Sequence, residues 1–279
     1  MDKNHFSHTR RRVAVIGQGT WYIGKRGRAR AVSALRRGLD LGMTHIDTAE
    51  MYDDAEEIIG EAIAGRRDEV FVVSKVLPEN ASRKGTVAAC ERSLDRLGTD
   101  RLDCYLLHWR GRHPLGETIA AFQKLMGEEK ILSWGVSNFD VPDLEELLKT
   151  AGGEGMACNQ VLYHLRDRAI EHVVLPWCEE HGVAVVGYSP FGHGRFPGED
   201  SEAWRILREI ADAHEATPRQ VALRFLVRRP SLFTIPKSSQ IAHIAENAEA
   251  GTLQLTDSEL ARIDGAFPLG PPPRELPTL

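Results

Sequence analysis

The feature that most constrains this chain is a regular alternation of two kinds of segment. Eight short β-branched or apolar runs, RVAVIGQG (12–19), MTHIDTA (43–49), EVFVVSK (69–75), LDCYLLHW (102–109), ILSWGVSN (131–138), MACNQV (156–161), VAVVGYS (183–189) and LFTIPKS (232–238), are separated by longer stretches of helical periodicity. Clear helical stretches are 28–42, 85–98, 140–153 and 217–229, several of them closed by glycine. Short apolar runs of this kind read as strands, and strands alternating with helices require a parallel sheet. Eight such units in about 250 residues is the arithmetic of a (β/α)8 TIM barrel. A doubly wound sheet is the rival fold, but GQGTWYIG carries Tyr22 where the last glycine of a dinucleotide loop would stand. No linker or low-complexity stretch breaks the rhythm, so a single domain is expected over 1–279, with the proline-rich 270–279 as a tail over the surface or one rim.

Composition narrows the partners. Forty acids against 35 bases leave a formal charge of −5, too little basic charge to favour nucleic acid. No stretch approaches the ~20 apolar residues that span a bilayer, and the basic N-terminus has no apolar run behind it. The four cysteines, Cys90, Cys104, Cys158 and Cys178, contain no C-x-x-C pair and read as reduced thiols. A cytoplasmic protein is expected, a monomer or weak homo-oligomer whose partner is a small molecule. Two further motifs fail on inspection: GYSPF places Phe191 where a nucleophile elbow needs glycine, and Cys178 with His181 supplies only two of the ligands a zinc site requires.

In a barrel of this kind chemistry belongs at the C-terminal ends of the strands. Asp47, Lys75, His108, Asn138, Gln160 and Ser189 end successive runs, and Tyr52 follows Asp47 by five residues. An ammonium pointing into a barrel mouth needs a carboxylate partner, and Asp47 is the natural one for Lys75. Such a pair serves either to seal the barrel end or to act on a neighbour. The neighbour is Tyr52: an adjacent ammonium is expected to lower the phenol's pKa and make it a general acid. His108 is expected to orient a carbonyl oxygen or to help deliver the proton. Together these groups suit protonation of a carbonyl oxygen while a nicotinamide supplies hydride, since no side chain can.

In these residues the chain resembles the aldo-keto reductase superfamily, in particular its short-loop prokaryotic members. The resemblance rests on seven motifs in order, GQGTW (17–21), DTAEMY (47–52), LLHW (106–109), GVSNF (135–139), NQVLYH (159–164), GYSPFG (187–192) and IPKSS (235–239), and extends to Glu246–Asn247. It implies a barrel closed at the bottom by an N-terminal hairpin at residues near 6–15, and NADPH-dependent reduction of aldehydes and ketones by Asp47, Tyr52, Lys75 and His108. It implies that Ser137, Asn138 and Gln160 hold the carboxamide and Tyr188 stacks on the nicotinamide. Gly19, Thr20, Trp21, Asp47, Ser189, Pro190, Phe191 and Gly192 would line the cofactor's path. Ile235, Pro236, Lys237, Ser238, Ser239, His243, Glu246 and Asn247 would hold its adenosine end, Lys237 and Ser238 on the 2′-phosphate. A nucleotide-bound regulatory or sensor subunit with little turnover is the alternative such a barrel permits.

The chain departs from the family's pattern at two points. His243 stands where many members carry an arginine, which weakens the expected grip on a 2′-phosphate and makes NADH a second candidate cofactor. Asp53 follows Tyr52 where many members have glycine, so the loop is expected to turn differently. The loops 110–117 and 193–201 are short to moderate, which predicts an open site walled by Trp21 and Trp109, with Tyr22, His113 and Phe196 as further candidates. The pocket suits small aldehydes, diketones or keto-sugars without choosing among them.

Overall fold

Apolar strands can be buried on both faces only if helices cover one side and side chains fill the other. The computed structural model, which describes residues 1–279, shows how the chain achieves this. The hairpin strands are β1 (Lys3–His5) and β2 (Arg12–Ala14); the barrel strands are β3 (Gln18–Gly19), β4 (His45–Asp47), β5 (Phe71–Val76), β6 (Cys104–Leu107), β7 (Trp134–Ser137), β8 (Met156–Leu162), β9 (Ala184–Tyr188) and β10 (Leu232–Thr234). The eight barrel strands lie in sequential order, every neighbouring pair parallel. The sheet closes where Ile16 bridges Thr234, with the Gly17 N–H donating to the Thr234 carbonyl at 2.8 Å and the Thr234 N–H to the Val15 carbonyl at 2.9 Å. At this seam a Cβ on Gly19 would lie 2.6 Å from the Ile235 carbonyl oxygen, so only glycine allows the approach. The expected (β/α)8 barrel is thus present.

The covering helices are α1 (Arg28–Asp40), α2 (Ala55–Ile63), α3 (Arg83–Leu97), α4 (Leu115–Gly127), α5 (Val141–Lys149), α6 (Val174–Glu180), α7 (Glu202–Ala213), α8 (Pro218–Leu226), α9 (Ile241–Ala250) and α10 (Asp257–Ala266). Their starts are signalled locally: Thr217 with Gln220 and Thr256 with Glu259 form capping boxes, and Pro218 occupies a first-turn position where its missing N–H costs nothing. One apolar cluster, including Ile58, Leu94 and Phe122, lies between helices and sheet. A second, including Phe71, Val73, Leu106 and Phe233, fills the barrel interior. The two sets alternate along β5, which is what a strand buried on both faces requires.

The run 12–19 is not one strand, contrary to expectation. Arg12–Ala14 pairs antiparallel with Lys3–His5 in the hairpin, Ile16 meets Thr234, and only Gln18–Gly19 enters the barrel beside β4. The hairpin accordingly spans 3–14 rather than 6–15, because the chain must first cross the barrel floor and then turn up into the wall. Its connecting segment carries Phe6, fully buried, with ring centroids 4.8 Å from Phe71 and 5.1 Å from Phe233. His45 lies in the same layer with neither ring nitrogen hydrogen-bonded, and burial pushes its pKa down to about 4, so it is neutral there. No helix is long and apolar enough to cross a membrane, and the four cysteines are free and buried. The tail 270–279 forms no helix; it crosses one rim and brings Leu279 to the barrel mouth.

Candidate active site

The C-terminal ends of the strands surround a cavity of about 440 Å³. Behind its wall lies an ion pair, of which only Asp47 reaches the lining. Lys75, the penultimate residue of β5, has no exposed surface and donates from Nζ to Asp47 Oδ1 at 2.6 Å and to the Thr48 carbonyl at 2.6 Å. The other Asp47 oxygen accepts from Gln160 Nε2 at 2.7 Å. Burial alone would push the ammonium down, but Asp47 and then Tyr52 outweigh it, and the Lys75 pKa ends above its usual value. The pair is therefore charged.

Tyr52 lies in the loop after β4, with Lys75 Nζ 5.2 Å from its ring centroid and the His108 ring 5.8 Å away at 75°. Contrary to expectation, its pKa is raised. Burial is the largest cause; Lys75 lowers it and Asp47 raises it further, so the ammonium does not overcome the loss of solvent. Asp53 adopts φ +40°, a left-handed conformation that glycine takes freely and that strains an aspartate. His108 is also held neutral, its pKa driven down to about 2 by burial and then by Lys75. Its Nδ1 is buried without a partner. An unpartnered lone pair is cheaper than an unpartnered N–H, so the proton belongs on Nε2, where it is available as a donor.

Beside this group the amide side chains are engaged by protein. Ser137 Oγ donates to the Gln160 carbonyl at 2.8 Å, and Asn138 Nδ2 donates to the His108 carbonyl at 3.1 Å and to Ser137 Oγ at 3.2 Å. Asn138 Oδ1 accepts from the Tyr188 hydroxyl at 2.9 Å. Asn138 and Ser189 hold φ +60° and +53°, so strand ends β7 and β9 both turn sharply over the mouth. Asn138 does not cap the following helix; Asp140 does, accepting from the Val141 N–H. After these bonds Gln160 keeps its amide oxygen and Asn138 one lone pair, acceptors of the kind a carboxamide NH2 needs.

All four expected catalytic residues but Lys75, which lies behind them, line the cavity, together with Gly19, Thr20, Trp21, Trp109, Ser137, Asn138, Gln160, Tyr188, Ser189, Pro190, Phe191, Ile235 and Lys237. Gly192, Pro236, Ser238, Ser239, His243, Glu246 and Asn247 do not line it. They extend away from it: Ser238 Oγ accepts from the Gln240 N–H at 3.0 Å, His243 sits exposed in the first turn of α9, and Glu246 and Asn247 lie in its second turn. His113 and Phe196 are not pocket walls either. His113 turns to the Glu79 carbonyl, and Phe196 packs on Phe191 and under Arg219. Met51, Tyr22, His193, Gly194 and Leu279 complete the lining. His193 stacks on Trp21 with centroids 5.5 Å apart, and Trp21 in turn on Tyr22 at 4.7 Å. The aromatic residue in GTWY signalled Tyr22; nothing local signalled Met51, His193 or Leu279, which loops and the tail bring in.

At the mouth of this parallel barrel, a buried lysine–aspartate pair thus lies behind a phenol and a neutral imidazole that face one cavity. The chain belongs to the aldo/keto reductase family, whose sequence model matches residues 15–267; it is an oxidoreductase of carbonyl groups that uses a nicotinamide cofactor. Methylglyoxal reductase YeaE of Escherichia coli (strain K12) is 46% identical over 260 residues, 92% of each chain. Glyoxal reductase of Bacillus subtilis (strain 168) is 36% identical over 251 residues, 88% of each. Among solved structures, an aldo-keto reductase from Klebsiella pneumoniae in complex with NADPH superposes with a TM-score of 0.92 at 44% identity, over the full length of both chains.

Proposed function

We propose that this chain reduces small, uncharged 1,2-dicarbonyl compounds of the methylglyoxal and glyoxal type, using NADPH, with Tyr52 as the general acid. One observation carries the reading: Tyr52 and His108 face the same cavity in front of a fully buried Lys75–Asp47 pair. NADPH, when bound, supplies the hydride. His108 Nε2–H holds the carbonyl oxygen by a hydrogen bond, and Tyr52 gives that oxygen its proton as the carbon is reduced. Lys75 stabilises the phenolate left behind, and Asp47 keeps Lys75 charged and aimed at it. Gln160 and Asn138 offer acceptors to the carboxamide, and Tyr188 a ring face to the nicotinamide.

Size and charge support the substrate class. A cavity of about 440 Å³ that must also take the nicotinamide leaves room for only a few substrate atoms. Apart from the sealed Asp47, Lys237 is its one charged wall residue, so a carboxylate substrate would find no arginine clamp. Trp21, Trp109 and Met51 supply apolar walls. The protein would act in the cytoplasm, as one domain and as a monomer or weak homo-oligomer. The regulatory-subunit alternative has no observation in its favour, since the catalytic set is complete and the relatives are named as reductases. The test is consumption of NADPH with methylglyoxal, glyoxal and a panel of simple aldehydes by wild type and Tyr52→Phe. Turnover of the dicarbonyls that collapses in the variant is expected; wild type inert on every carbonyl would overturn the reading.

A further inference from the structure

The cofactor segment 235–243 has one guanidinium fewer than its family's pattern implies, because position 243 is histidine. We propose that Arg30, on α1, supplies that guanidinium and makes the chain prefer a dinucleotide bearing an adenosine 2′-phosphate. The proposal rests on the dinucleotide reading above.

Arg30 Nε donates to the Ser239 carbonyl at 2.9 Å, joining residues 209 positions apart. Helices α1 and α9 pack side by side, so the anchor belongs to the frame of the barrel and not to one loop. The bond fixes a planar, permanently charged head next to Ser238 and Ser239, and its two terminal nitrogens have no protein acceptor. The contrast with Arg28, two residues earlier, is direct: Arg28 is engaged by Glu61 at 2.8 Å and Glu57 at 3.1 Å. Acids are therefore present nearby but directed away from Arg30.

Three more cations share this side of the site without an ion-pair partner. Lys25 and Arg26 follow β3, and Lys237 follows β10; none makes an ion pair within 4.0 Å. Lys237 is held below its usual pKa by burial and then by the nearby charges of Arg26 and Lys25. Lys25 Nζ lies 3.5 Å above the Tyr22 ring, at the cavity edge. Like charges gathered without a counter-ion repel one another, and an arriving anion relieves them. The anion that best fits a guanidinium with two free nitrogens is a phosphate monoester, which accepts two parallel N–H bonds and carries close to two charges. NADPH has such a group on its adenosine and NADH does not.

The experiment is equilibrium binding of NADPH, NADH, 2′,5′-ADP and 5′-AMP, followed by quenching of tryptophan fluorescence, for wild type, Arg30→Ala and Arg30→Ala/His243→Arg. Arg30 is exposed on a helix, and alanine favours helix, so the variant is expected to fold with an unchanged melting temperature. Arg30→Ala should weaken NADPH and 2′,5′-ADP by roughly 10- to 100-fold and NADH and 5′-AMP by less than about twofold. The second substitution should restore most of the loss. Equal weakening of all four ligands, or no change for NADPH, would overturn the assignment of Arg30 while leaving the dinucleotide reading in place. Wild type that bound neither dinucleotide would overturn both.

Discussion

Two tyrosines in this barrel, Tyr163 fully buried and Tyr52 partly buried at the cavity, have phenols shifted the same way and opposite employment. Tyr163, just beyond β8, donates its hydroxyl to Glu171 at 2.5 Å and accepts from Arg228 at 2.7 Å. Arg168 also binds Glu171, at 2.7 Å, and reaches the Phe267 carbonyl, tying the end of α10 to the barrel. Burial raises the pKa of both phenols. Around Tyr163 the hydroxyl's donor and acceptor capacity is taken up by protein, so the raised pKa only records a closed network. Around Tyr52 the charges that shift it come from Lys75 and Asp47, already paired with each other, and the residue fronts a cavity. A perturbed pKa identifies a working acid only where the proton has somewhere outside the protein to go.

Exchanging the two phenols for phenylalanine should separate these roles. Tyr52→Phe is expected to lower kcat by about 100- to 10,000-fold with little change in melting temperature. Tyr163→Phe should leave kcat within about twofold and cost about 1–3 kcal/mol, because Glu171 and Arg228 lose a partner. Steady-state kinetics and thermal unfolding of both variants check the pair, and a reversed pattern would break the contrast. Lys75→Met should fail in both assays, since it strands Asp47 in a buried site at a cost of about 3–5 kcal/mol and removes the charge that stabilises a Tyr52 phenolate.

The Glu171 cluster should also show in acid. Burial would raise the Glu171 pKa, but Arg168, Tyr163 and Arg228 outweigh it and hold it down to about 2. A carboxylate with a depressed folded pKa contributes stability that is fully present above its ordinary value, 4.5, and is lost as pH falls toward 2. The contribution is on the order of 3 kcal/mol by linkage. Unfolding followed across that window should show this slope in wild type and lose it in Glu171→Gln. At the mouth the pH dependence should instead be kinetic. With His108 held down to about 2 and Tyr52 raised, the rate of carbonyl reduction should be flat from about pH 6 to about pH 9 and fall only on the alkaline side, as Tyr52 loses its proton. An acid limb near His108's ordinary pKa would show that its surroundings are wetter than described. The smallest effect is expected at Asp53→Gly, which relieves the left-handed turn after Tyr52 and should stabilise by about 0.5–1 kcal/mol with kinetics unchanged.

What could be read from the sequence followed from short-range physics. Strand runs announce themselves by apolar character, and a polar side chain at the end of such a run has one place to point in a parallel barrel. Asp47, Lys75, His108 and Gln160 were therefore legible, and so was the pairing of Lys75 with Asp47. The division of 12–19 between hairpin and wall was not, because the same β-branched residues suit both and only the encounter of Ile16 with Thr234 separates them. The sign of the Tyr52 shift was also out of reach, since it depends on how much solvent three converging elements remove. Met51, His193 and Leu279 sit on loops and a tail, whose paths no periodicity encodes. Arg30 reads in isolation as one more solvated residue on a helix; its meaning comes from Ser239, at the far end of the chain.

The seam between the first and last walls has a consequence for how the molecule comes into being. On the edge away from β4, Val15, Gly17 and Gly19 find hydrogen-bond partners in 234–236, more than two hundred residues later. During synthesis at about 5–20 residues per second, the edge of β3 waits on the order of ten seconds or longer without its permanent neighbour. For that time the nascent chain presents an open sheet edge, a template for misassociation. The edge is only two residues long, and glycine and glutamine form it. A short strand of that composition offers little for another chain to grip, so the close approach that demands Gly19 in the finished barrel also protects the unfinished one.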